Sequence, residues 1–117
     1  RTRGIELSRS HQVPLSLEPS DFGLACESEP DLPIFGPPEE GYGTGDNSEL
    51  VQTCGRITQA VLAGEHGPAR NASLLGAALI LKAGGRVHTL ADGVSAATAA
   101  LDSGEPRSIL ERLRALA

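Results

Sequence analysis

Apolar positions recur along the chain in two rhythms. The first has a period of two. Thr2–Leu7 (TRGIEL) and Gln12–Leu17 (QVPLSL) alternate apolar with polar residues, and Ser8-Arg9-Ser10-His11 joins them. This pattern predicts an antiparallel hairpin or two edge strands. Pro14 has no N–H to give a ladder, which favours an edge position. Glu18-Pro19-Ser20-Asp21 reads as a turn, after which Phe22 and Leu24 are expected to fold back on the core.

The second rhythm is helical. Leu50, Cys54, Ile57 and Val61, flanked by Val51 and Leu62, predict a first helix from about Asn47 to Ala63. Asp46 is its candidate N-cap, with Glu49 three positions on, and Gly64 is its stop. The central element is the stretch from Gly64 to Gly85. Pro68 suits a first helical position, where a missing N–H costs nothing. From Leu74 to Leu81 apolar residues lie on nearly every face, which predicts a helix over Pro68–Ala83 buried on all sides. Gly84 and Gly85 end it. The uncharged run ending at Lys82 is too short to cross a bilayer, which takes about 20 apolar residues.

Arg86 to His88 reads as a short link or a β-bridge. Thr89 is the N-cap of a third helix with Asp92 at its third position, a buried stripe of Leu90, Val94, Ala97 and Leu101, and a stop at Gly104. A fourth helix begins at Pro106. Ile109, Leu110, Leu113 and Leu116 are expected to face inward, and Arg112 and Arg114 lie where the helix dipole favours cations.

Between these rhythms lies a stretch with none. Residues 25–46 are rich in Pro, Glu and Gly and read as a long loop, with Leu32, Ile34 and Phe35 as possible pins. A structureless run of that length is unusual in a compact domain. It suits a lid, an insertion, or a segment ordered by other parts of a longer protein. The first residue is Arg1, not Met, which leads us to expect a piece cut from a longer protein.

Composition narrows the picture further. The chain of 117 residues suffices for one modest domain. Its net charge of −5 argues against a general nucleic-acid surface, which needs clustered Lys and Arg. Phe22, Phe35 and Tyr42 are its only aromatic residues, so the core must be aliphatic. Cys26 and Cys54 are too few for a disulfide framework and read as small buried hydrophobes, in keeping with a reducing cytoplasm.

Three groups of residues invite chemistry. Gly41-Tyr42-Gly43-Thr44-Gly45-Asp46 precedes a helix and could cradle a phosphate. No strand leads into it, no Lys follows, and Glu39 and Glu40 stand beside it, so a loop with an N-cap is the better reading. Glu65, His66 and Arg70 lie in the turn before the central helix, where a His and a carboxylate could act as an acid–base pair. Neighbours in a turn rarely converge on one substrate atom, and a structural turn is preferred. His11, His66 and His88, with Asp21 or Asp92, lack the ligand spacing of a recognisable metal site. From the residues alone the chain is an α-rich domain fragment, with no catalytic, cofactor-binding or metal-binding residue assigned.

An ordered series of short motifs adds an identity. Glu18-Pro19-Ser20-Asp21-Phe22-Gly23-Leu24 is followed by Ala60-Val61-Leu62-Ala63-Gly64-Glu65-His66-Gly67-Pro68-Ala69-Arg70. Leu74-Leu75-Gly76-Ala77-Ala78, Ala83-Gly84-Gly85, Leu90-Ala91-Asp92-Gly93-Val94 and Leu101-Asp102-Ser103-Gly104 come next. This series resembles the anthranilate phosphoribosyltransferase family. The resemblance covers most of residues 2–24 and nearly all of 57–116.

It implies an α/β fragment, residues 1–117, from the C-terminal part of the family's larger domain, whose helices pack on a central sheet. It also implies a transferase that moves phosphoribosyl from phosphoribosyl pyrophosphate to anthranilate in cytoplasmic tryptophan biosynthesis. The magnesium ligands, the glycine-rich diphosphate loop and the N-terminal helical domain used for homodimerisation would then lie upstream, and this piece alone would be inactive.

The chain departs from the family pattern in a longer Cys26–Asp46 loop and at three further places. Thr53-Cys54-Gly55 stands where Glu-Asn-Ala is usual, Asn71 replaces an Asp, and Gly76 replaces an Asn. These departures bear on substrate identity. They keep open a same-fold paralogue with another acceptor, such as a nucleoside phosphorylase relative. They equally keep open a non-catalytic paralogue that binds nucleic acid or a partner, although the acidic balance counts against nucleic acid.

Overall fold

A computed structural model describes residues 2–7, 10–25 and 48–116. Strands β1 (Thr2–Leu7) and β2 (Gln12–Leu17) form a two-stranded antiparallel sheet. A 3-10 turn, η1 (Pro19–Phe22), follows. Four helices complete the fold: α1 (Ser48–Leu62), α2 (Pro68–Ala83), α3 (Leu90–Asp102) and α4 (Glu105–Arg114). The hairpin and the four helices follow the two rhythms, and together they make the α/β fragment that the resemblance implies. The suggested loop lies almost wholly outside the described residues, as do Cys26, the Asp46 cap and the Gly41–Asp46 run.

The hairpin register pairs Ile5 with Pro14, Glu6 with Val13 and Gly4 with Leu15. Side chains alternate across a strand, so this register sorts them into two faces. Leu15 and Leu17 share one face with Glu6 and turn it toward the helices, where Leu17 is buried. Glu6 accepts a 2.8 Å bond from Lys82 Nζ in the last turn of α2. The opposite face carries Ile5, Pro14 and Leu7, and Ile5 and Leu7 are 65% and 69% exposed. That face is mixed, with Arg3, Gln12 and Ser16 beside them, and Ile5 and Leu7 border a concavity shared with Leu79 and Lys82 of α2.

In η1, Pro19 fixes the first φ and Gly23 closes the turn in the left-handed region at φ 71. This returns Phe22 and Leu24 to the core, which is built on Leu17, Leu75, Ala78 and Val94. A close approach in the core is between α2 and α3. A Cβ placed on Gly93 would lie 2.9 Å from both Cα and Cβ of Ala78, which is itself fully buried. Only a glycine lets the two backbones come this near.

The helix ends follow their sequence signals. Thr89 caps α3, its Oγ1 accepting the Asp92 N–H at 3.0 Å while its hydroxyl donates to the Asp92 carboxylate at 2.7 Å. After α2 the left-handed residue is Gly85, where the Gly85 N–H reaches Lys82 C=O and the Arg86 N–H reaches Leu81 C=O. Gly64 ends α1 in the same way, with Gly64 and Glu65 N–H groups on Val61 and Ala60 carbonyls. Arg86–His88 form a plain link without a bridge.

Three burial expectations fail, all in the same direction. The central helix α2 is not covered on all sides. Leu74, Leu75 and Ala78 are buried, but Ile80 is 73% exposed. On α4, Leu110 is half-buried, while Ile109, Leu113 and Leu116 are exposed rather than inward. Cys54 is a free, exposed thiol and not a buried hydrophobe. The α1 residues that line concavities shared with other helices begin at Ile57, one turn beyond Cys54. Among the described residues these side chains have no partner surface to meet.

Candidate functional site

Two of the surface concavities lie between α2 and α3. The first lies between η1, the turn before α2, and α3, with a volume of about 790 Å3. Phe22, Leu24, Leu74 and Val94 supply its apolar wall, and His66, Arg70, Asn71, Ser95 and Thr98 its polar one. Gly64 and Gly67 both adopt positive φ, so the chain reverses sharply and delivers Arg70 to the first turn of α2, pointing inward.

Arg70 is the one charged side chain buried among the described residues, at 4% exposure. Its Nη2 donates to Asp102 Oδ1 at 2.5 Å, which ties the start of α2 to the end of α3. Its Nη1 is buried with no partner. A buried charge with incomplete partners depends heavily on the one it has. Asn71, one residue on, donates its Nδ2–H to the Ala25 carbonyl at 3.0 Å. An ionised Asp, the residue the family resemblance would place here, is acceptor-only and could not make that bond. Asn71 therefore makes a tether that an ionised Asp at this position could not make. Gly76 and Gly55, two further points of departure, each face open space.

The residues considered for catalysis do not converge. His66 and Arg70 line the cleft, whereas Glu65 is exposed and absent from its lining. His88 lies against another depression, with Leu7 and Lys82. His11 belongs to the hairpin, where its Nδ1 is 2.7 Å from Ser10 Oγ. Thr98 spends its hydroxyl on the Val94 carbonyl. Among the described residues no group of three or more His, Cys, Asp or Glu gathers to hold a metal ion. The cleft offers packing and a structural ion pair. Sequence reasoning placed Arg70 near the turn but did not anticipate Asp102 as its partner, because the two are 32 positions apart.

The second concavity, of about 610 Å3, lies between the four helices. Ile57, Val61, Leu74, Ile80, Leu81 and Leu101 wall it above a floor that includes Ala77, Ala97 and Ala100. Its lining carries no charged side chain. No helix is long and apolar enough to cross a membrane, among the described residues.

Comparison with known proteins gives this architecture a context. No family model matches the chain. No solved structure matches it. Several curated proteins do. An anthranilate phosphoribosyltransferase of Symbiobacterium thermophilum is 54% identical over 59 residues, covering 50% of this chain and 17% of the relative. One from Thermomicrobium roseum is 39% identical over 101 residues, or 86% of this chain and 25% of the relative. One from Desulfitobacterium hafniense is 32% identical over 116 residues, or 99% of this chain and 30% of the relative. The chain thus spans less than a third of the length of these relatives. Independent matches across nearly all of its residues converge on one name, and the chain belongs to the anthranilate phosphoribosyltransferase family.

Proposed function

We propose that the whole protein transfers a phosphoribosyl group from phosphoribosyl pyrophosphate to the amine of anthranilate, a step of cytoplasmic tryptophan biosynthesis. In this reaction the bond from the anomeric carbon to the diphosphate breaks. The amine nitrogen forms the new bond to that carbon and loses a proton. The observation that carries the reading is the shared name of relatives that together match nearly the whole chain. Catalysis of this kind rests mainly on positioning and on stabilising charge as diphosphate departs.

The residues described here have a supporting part. The Arg70–Asp102 pair and the Gly93 contact lock α2 to α3. No acid–base pair or anion cradle among them reaches a common point. Magnesium belongs to the proposal, and the described residues do not fit it, since no three or more His, Cys, Asp or Glu among them gather. Homodimerisation through a separate helical domain is likewise part of the proposal.

The test is the fall in anthranilate fluorescence on adding phosphoribosyl pyrophosphate and magnesium. The 117-residue chain is expected to be silent, and turnover by it would overturn its supporting part. A chimera is expected to be active when this chain replaces the matched 116 residues of the Desulfitobacterium hafniense relative. A folded chimera that ignores anthranilate but phosphorolyses a nucleoside would favour the other-acceptor reading, which the departures at Thr53-Cys54-Gly55 and Gly76 motivate.

A further inference from the structure

The cleft between η1, α2 and α3 holds polar groups that the ion pair does not use. Arg70 lines it at 4% exposure, Asp102 takes only Nη2, and Nη1 is buried with no partner. Buried polar groups in native proteins are nearly always bonded. A buried donor left unmade is costly, and an acceptor that reaches it recovers the cost. Two further groups in the lining are unspent. Among the described residues neither the His66 imidazole nor the Ser95 hydroxyl makes a side-chain hydrogen bond. Asn71 and Thr98, in the same lining, spend theirs on the Ala25 and Val94 carbonyls.

Charge and shape select what fits. The Asp102 carboxylate already balances the Arg70 guanidinium, so a dianionic phosphate would enter against that carboxylate with one free guanidinium nitrogen to meet it. A carboxylate brings a single charge and makes a charge-assisted bond, stronger than a neutral one. The start of α2 at Pro68 adjoins the cleft with no side-chain cap, and a helix start favours negative charge. Phe22, Leu24, Leu74 and Val94 offer a wall to an apolar body. The volume of about 790 Å3 lies within the range of small-molecule sites.

We propose that this cleft binds a small monocarboxylate with an apolar body, its carboxylate bonded to Arg70 Nη1, with His66 and Ser95 completing the polar side. Nη1 is out of contact with solvent, so the carboxylate meets it as the exposed side chains of the lining shift, a rotamer change common on binding. The site is separate from the transfer chemistry above and does not depend on it.

Titration of the 15N-labelled 117-residue chain with benzoate, benzamide and inorganic phosphate tests it by nuclear magnetic resonance. Benzoate is expected to shift the Arg70 side-chain Nε–H signal and the backbone amides of Arg70 and Ser95. It should bind about tenfold more tightly than benzamide, which has the same shape without the charge. Benzoate that leaves the Arg70 signals in place at millimolar concentration would overturn the proposal. So would equal affinity for benzamide, or a stronger response to phosphate. Two variants add a second readout. Arg70→Lys keeps the charge but gives up the second nitrogen, and should lose the preference for benzoate. Ser95 is exposed, so Ser95→Ala leaves the fold intact and carries the test if the lysine variant unfolds. It should weaken benzoate by about threefold, and undiminished binding in it would count against the site.

Discussion

Replacing Gly93 by alanine should loosen the α2–α3 contact, and the expected size of the effect follows from geometry. In an open helix interior the change would help by about 0.5–1 kcal/mol, because glycine loses more backbone entropy on folding. At Gly93 the new methyl would meet Ala78 Cα and Cβ at 2.9 Å and its carbonyl oxygen at 3.0 Å. Those obstacles are backbone atoms and a Cβ, so no rotamer change relieves them and the helices must separate. Overpacking of this kind costs roughly 1–3 kcal/mol, and here the upper part of that range applies. The net expectation is a loss of about 1–2 kcal/mol. With a urea m-value near 1–1.5 kcal/mol/M, the low end for small proteins, the midpoint should fall by about 1 M. Gly76→Ala is the internal control. Gly76 lies in the middle of α2 with nothing near its added Cβ, so the propensity gain should stand and the midpoint should rise by roughly 0.5 M. Urea unfolding followed by far-UV circular dichroism reads both. A Gly93→Ala chain as stable as the parent would refute the close-approach reasoning.

Two further substitutions probe the cleft. Asp102→Asn leaves the Arg70 guanidinium buried without its carboxylate. Asp102 is itself 56% exposed, so the loss is discounted to about 1–3 kcal/mol and should appear as a lowered thermal midpoint. Asn71→Asp should break the bond to Ala25. It is expected to cost about 1 kcal/mol, partly offset by the favourable placement of an anion in the first turns of α2, and to speed amide exchange around Leu24 and Ala25.

The elements were more legible than their surroundings. The bounds of β1, β2 and α2 follow from alternation and from Pro68 and Gly84–Gly85, because turn and cap chemistry acts within a few residues. The Thr89–Asp92 cap was legible for the same reason. Burial was less so. Periodicity names a stripe of Leu50, Cys54, Ile57 and Val61, but whether a neighbour reaches the whole stripe depends on where α1 meets the other helices, which no local pattern encodes. The same holds for Ile80, Ile109 and Leu113. The partnership of Arg70 with Asp102 was equally hidden, because it arises only when α2 and α3 cross. The family series supplied an identity that the local chemistry of the cleft could not, since none of its side chains forms a reacting constellation.

The Asn71–Ala25 tether has a consequence for how this sequence can change. It fastens residue 25 to the start of α2, immediately before the stretch that runs on to α1 at Ser48. The near end of that connection is tied to the body of the protein, and its far end is the exposed first turn of α1. Closure entropy rises only logarithmically with length, about 0.6 kcal/mol per doubling. Evolution can therefore lengthen or shorten residues 26–47 at little energetic penalty, while an equal insertion between Gly64 and Arg70 would dismantle the turn that aims the buried guanidinium.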